Sequence, residues 1–111
     1  MSTELEKDKE DFITWLRQEK KIGTKVSKDY YYRCHRIERN IVKNIEKYLS
    51  NEKDFIDLIT KIHEYGTSVA ITKKKSYVLV GTLRSAVKKY GEYKYPEMTD
   101  FYNKQVTFRY E

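Results

Sequence analysis

The sequence predicts an all-α domain, a compact bundle of four to five helices with an extended C-terminal tail. Three observations carry that expectation. Apolar residues recur at three- and four-residue spacing in four separate stretches. The 111 residues include one proline and four glycines, too few punctuators for a turn-rich β protein. Eleven tyrosines and four phenylalanines supply large buried areas that a hydrophobic content of 39% would otherwise leave short. A disordered chain would be poor in such rings.

The first predicted helix runs from Glu4 to Lys20. Thr3 is its N-cap, and Glu6 three residues on completes a capping box. Acidic residues crowd its first turns, where the helix dipole favours them. Leu5, Phe12, Trp15 and Leu16 share a face, Ile13 widens it, and Gly23 ends the pattern. The second helix opens at Val26-Ser27 with Ser27 as N-cap. Its apolar stripe is Tyr30, Cys34, Ile37 and Ile41. Residues 40–50 keep helical spacing at Val42, Ile45, Tyr48 and Leu49, and the helix either continues there or breaks and restarts. Asn51 caps a third helix over Glu52 to Tyr65, closed by Gly66. Thr67 to Thr72 is a connection whose Ser-Val-Ala-Ile run can pack into the core.

The last long helix spans Lys74 to Tyr93. Gly81 inside it marks a close helix–helix contact, and Pro96 stops it. Residues 105–110 alternate as a strand does. The expected division is a helical unit at 1–96 and an extended or strand-like tail at 97–111.

Several classes of function are excluded or disfavoured at this level. No stretch of about 18 apolar residues exists, so no transmembrane helix is expected, and no membrane partner. The N-terminus is acidic and polar, the reverse of a secretory leader. One cysteine, Cys34, gives neither an internal disulfide nor a cysteine-based zinc site, and a reducing cytoplasm is the expected location. His35 beside Cys34 lacks a further ligand at metal spacing, and neighbours on a helix diverge by about 100°, against a Cys–His pair. No glycine-rich phosphate loop is present. The expectation is a protein that is not an enzyme, with no cofactor, metal or small-molecule substrate.

The net charge of +6 is concentrated rather than spread. Residues 20–48 hold nine basic and three acidic side chains, and residues 67–94 hold seven basic and one acidic. The remaining stretches are slightly acidic. A generally solvated surface more often mixes the signs. In the first basic segment Lys25, Lys28, Arg33, Arg36, Arg39 and Lys43 are candidate phosphate contacts, and Arg33, Arg36, Arg39 and Lys43 form a ridge away from the apolar stripe. In the second, the candidates are Lys73, Lys74, Lys75, Arg84, Lys88 and Lys89. The three lysines stand at a helix start, where the dipole disfavours cations and a bound polyanion would compensate. Tyr30-Tyr31-Tyr32 spans three helix faces, so exposed rings at Tyr31 and Tyr32 could stack on bases or form a protein interface. Each of these features also has a plain alternative as a solvated helix face.

Three pieces carry a family resemblance. The first is Phe12-Ile13-Thr14-Trp15-Leu16. The second is Ser27-Lys28-Asp29-Tyr30-Tyr31 with Arg33 and Arg36-Ile37-Glu38. The third is Tyr77 followed by Leu83-Arg84-Ser85-Ala86-Val87-Lys88-Lys89-Tyr90. In them the chain resembles the SAM-like N-terminal core-binding domain of phage integrases and other tyrosine recombinases, over about residues 8–96. The resemblance implies a helical bundle that straddles DNA and grips it with basic helices while a separate domain cuts. That family's catalytic domain needs a separated Arg, a His-x-x-Arg and a nucleophilic Tyr. Here His35 is followed three positions later by Glu38, and His63 by Gly66. The expected function is non-catalytic binding of double-stranded DNA, either as part of a recombinase or as a free-standing binding half. A reading of another class is a small phage or mobile-element protein that binds and modulates a host protein, such as a defence nuclease. In that reading the tyrosines and the tail form the interface. Self-association through the tail is a third.

Overall fold

The structure is a computed structural model and describes residues 2–104. Among the described residues the secondary structure is entirely helical. The α-helices are α1 (Glu4–Lys7), α2 (Lys9–Gln18), α3 (Thr24–Asn40), α4 (Glu52–Val69), α5 (Lys73–Lys94) and α6 (Thr99–Lys104), with short 3₁₀ turns at Ile45–Tyr48 and Pro96–Met98. The radius of gyration, 13.4 Å, is that of a close-packed domain of this size.

The Thr3 capping box forms as the spacing requires. Thr3 Oγ1 accepts from the Glu6 amide at 3.3 Å, and the Thr3 amide donates to Glu6 Oε1 at 3.0 Å. The single helix expected from Glu4 to Lys20 is instead two, broken at Asp8. The break lets the Asp8 carboxylate receive the Tyr90 hydroxyl at 2.7 Å and the Lys94 ammonium at 2.9 Å. Local propensity could not disclose that, because both partners lie more than 80 residues away. The helix also stops earlier, at Gln18. The reversal falls at Lys21, the one described non-glycine residue with positive φ (57°), and not at Gly23.

Gly23 is the N-cap of α3, which begins at Thr24. Ser27 is therefore inside the helix, fully buried, its hydroxyl donating to the Ile22 carbonyl at 3.2 Å. Cys34 and Ile37 are fully buried as the stripe requires, but Tyr31 takes the core position and Tyr30 packs at its margin. The helix breaks after Asn40. Val42, Ile45 and Leu49 continue into the core through the first 3₁₀ turn.

Asn51 caps α4, its Oδ1 accepting from the Asp54 amide at 2.9 Å. The helix runs past Gly66 to Val69, so Gly66 is no terminator. A Cβ at Gly66 would collide with the Val80 side chain, and the glycine serves close approach of α4 to α5. The expected contact glycine, Gly81, has open space around it. Val69 and Ile71 also depart from expectation. They sit at the turn between α4 and α5 with side chains in solvent, because the helix pair reverses at the bundle's edge.

α5 is the central element and packs against α2, α3, α4 and α6. Pro96 ends it, and the chain turns back into α6. Residues 99–104 therefore belong to the bundle and not to an extended tail. Tyr102 is fully buried, its ring against Phe55 and its hydroxyl donating to the Leu49 carbonyl at 2.5 Å. The strand-like pattern at 105–110 lies outside the described residues. A second aromatic group, Phe12, Trp15, Tyr90 and Tyr93, joins α2 to α5. No described helix is long and apolar enough to cross a membrane.

Candidate nucleic-acid interface

The exposed side of α3 is built by its own periodicity. Ser27, Tyr31, Cys34 and Ile37 turn one face into the core. Thr24, Lys25, Val26, Lys28, Tyr32, Arg36, Arg39 and Asn40 are left exposed, and of these Lys25, Lys28, Tyr32, Arg36 and Arg39 share one side, at offsets of 3, 7, 11 and 14 from the first. Four cations and one tyrosine therefore form a single stripe about 21 Å long at 1.5 Å per residue. Tyr32 is 53% exposed, whereas Tyr31 is 4% exposed and unavailable for stacking. Lys9 of α2 lies over both rings, 5.4 Å from each centroid. Lys43 is exposed just beyond the helix.

Two carboxylates on α3 could have neutralised the stripe. Asp29 is half-buried. Glu38 turns inward, accepting from the Thr3 hydroxyl at 2.7 Å and the Ile45 amide at 2.9 Å. Burial raises the Glu38 pKa, and the two hydrogen bonds oppose that rise.

Arg33 does not belong to the stripe. It is half-buried, with its guanidinium 5.8 Å from the Tyr30 ring centroid. Arg36 stays exposed but is braced. Its Nε and one terminal nitrogen both donate to the Tyr65 hydroxyl of α4 at 3.2 Å. Such bracing fixes a long side chain in advance of any ligand.

The second basic segment divides. Lys73, Lys74 and Lys75 are all exposed in the first turn of α5, where Thr72 caps the Lys75 amide at 3.1 Å. Arg84, Lys88 and Lys89 do not form an outward face. Arg84 is 8% exposed, and burial lowers its pKa. Lys88 is half-buried, and its pKa is lowered by burial and then by Lys89, with Glu92 opposing. Glu92, 6% exposed, holds Lys20 at 2.8 Å and Lys89 at 3.7 Å. These cations follow α5 inward because its packing against α2, α3, α4 and α6 leaves little of its surface free.

One residue of each basic segment lies near the C-terminal part of α4. Arg36 of α3 touches Tyr65, and the adjacent Gly66 abuts Ser76 and Val80 of α5. α3 itself packs on α5 and α2, and α4 packs on α5, so α5 lies between the two helices and Arg36–Tyr65 is a side-chain bridge across them. Sequence reasoning missed Tyr65, Glu92 and the inward turn of Glu38. A carboxylate two residues before the end of a lysine-rich helix, as Glu92 is, could have signalled the second.

Cys34 is fully buried and its thiol is pushed above the usual range by burial. His35 meets Glu6 at 3.2 Å. No cluster of three metal-ligating side chains occurs among the described residues. Comparison with protein-family models, with curated proteins and with solved structures finds no match.

Proposed function

We propose that this helical domain binds the sugar–phosphate backbone of double-stranded DNA through α3, without catalysing a reaction on it. The observation that supports this most directly is the stripe Lys25, Lys28, Arg36 and Arg39, which no carboxylate of the same helix neutralises. Lysine and arginine displace condensed counterions from duplex DNA, and arginine adds bidentate hydrogen bonds to phosphate. Lys43 extends the stripe, and Tyr32 in its middle offers a ring to sugar or base. Arg33, Arg84, Lys88 and Lys89 act indirectly in this reading, by packing the helices that present the others.

The reading agrees with the resemblance to the SAM-like core-binding domain of tyrosine recombinases, and it makes the chain the binding half of such a recombination system, phage or mobile-element in origin and working in the cytoplasm. The test is a salt titration with duplex DNA. Four neutralised phosphates give a slope of log K against log salt of about −3.6. Arg36→Ala with Arg39→Ala should reduce its magnitude by about 2. Undetectable affinity at low salt, or a slope unchanged in the double variant, overturns the assignment. A protein partner that stays bound after nuclease treatment would favour the alternative reading, in which Tyr32 belongs to a protein interface.

A further inference from the structure

The DNA reading leaves the apolar side chains at the α4–α5 turn without a role. Val69 ends α4, Ile71 stands in the turn, and Val78 lies in the second turn of α5; their exposures are 48%, 87% and 55%. Lys73, Lys74 and Lys75 stand among them. We propose that this corner is a docking surface for an anionic lipid bilayer, which lies against the corner without being crossed.

Three features converge on that occupant. Ile71 protrudes, since a side chain 87% exposed stands clear of its own domain, and a protruding aliphatic group inserts into a surface more readily than it receives one. The chain on either side of it carries charge of one sign. Residues 65–91 contain no aspartate or glutamate, and none of the ion pairs among the described residues involves Lys73, Lys74 or Lys75. The lysines also occupy the positive end of α5, where the helix dipole opposes them until an anion arrives.

The mixture of side chains separates the possible occupants. Nucleic acid would satisfy the lysines and leave Ile71, Val69 and Val78 facing water. The buried centre of a protein interface is depleted in lysine. The boundary between headgroups and acyl chains accepts both kinds. Aliphatic tips enter the acyl region, while lysine stems lie along it and carry their ammonium groups back to the phosphates. The absence of a spanning helix among the described residues does not bear on such a contact, because lying on a bilayer and crossing it are different physical demands.

The test is co-sedimentation of the full chain with vesicles at low salt. One set is phosphatidylcholine alone, and the other is phosphatidylcholine mixed with phosphatidylserine. The expected result is binding to the mixed vesicles only, released by salt. Ile71→Ser should weaken it by about tenfold or more, as loss of one inserted isoleucine requires. Val78→Ser should weaken it in the same direction. Circular dichroism of both variants should match the parent, since neither side chain is in the core. Duplex DNA binding should be unchanged in both, so failure of the DNA reading and failure of this one are told apart. The proposal is overturned if the mixed vesicles sediment without the protein or if Ile71→Ser binds them as the parent does. It is also overturned if Ile71→Ser abolishes DNA binding, which would give the corner to nucleic acid. Self-association that disappears in Ile71→Ser would give it to a second copy of the chain.

Discussion

The ring of Tyr102 lies against the backbone of Gly91 so closely that a Cβ built on Gly91 would stand 2.6 Å from Tyr102 Cε2. No side chain fits there unless the ring leaves, and the ring is held by Phe55 and by its hydroxyl bond to the Leu49 carbonyl. α6 is therefore seated on α5 by the absence of a side chain.

Glycine substitutions should accordingly divide by position. Gly91→Ala should destabilise the protein by about 1–3 kcal/mol through overpacking, and Gly66→Ala should do the same through Val80. Gly81→Ala meets nothing within 4 Å and should stabilise by up to about 1 kcal/mol through helix propensity. Chemical denaturation of the three variants checks the order. A destabilising Gly81→Ala, or a neutral Gly91→Ala, would contradict the packing described.

The Asp8 carboxylate closes the bundle by joining the start of α2 to the end of α5. Removing it with Asp8→Ala strands the buried hydroxyl of Tyr90, at an expected cost of about 1–3 kcal/mol. Tyr90→Phe alone should cost less, because it removes the donor while the Asp8 carboxylate keeps Lys94. A double-mutant cycle of the two should show a coupling of about 0.5–3 kcal/mol, and additivity would sink the claim that the pair acts together.

Alkaline pH should unfold the protein through its tyrosines. Burial raises the phenols of Tyr90 and Tyr102 above the ordinary 10.0, with the Asp8 carboxylate adding to the effect at Tyr90. The Tyr95 phenol is pushed up to about 12 by its hydrogen bond to Glu46 and by burial. A folded-state pKa above the unfolded one means that stability is complete below pH 10 and is lost as pH rises toward the folded values. Tyrosinate absorbance followed together with circular dichroism should show part of the ionisation coinciding with loss of helix. Full ionisation with the helix intact would refute this.

Much of the fold is legible in the sequence because it is written in local chemistry. Thr3 with Glu6 and Asn51 with Asp54 are caps that form between residues three apart, so spacing alone reveals them. The buried positions Leu5, Phe12, Leu16, Cys34, Ile37, Phe55 and Leu58 follow from helical period, as do Arg36 and Arg39 on the basic side of α3, but not Arg33. Helix class, rough extents, the concentration of charge and the end of α5 at Pro96 were all determined there.

What the sequence could not decide is which partner each residue meets across the bundle. Ser27 and Gly66 have the chemistry of helix ends, yet both lie inside helices, because the Ile22 carbonyl and the Val80 side chain claim them. Asp8 breaks a helix for the sake of Tyr90 and Lys94. Arg84, Lys88 and Lys89 share the composition of Lys25, Lys28, Arg36 and Arg39 but not their place. α5 is surrounded by four other helices, while one side of α3 is open to water. Charge is a property of the residue, but whether that charge faces solvent depends on long-range packing, and only the tertiary structure separates the two sets.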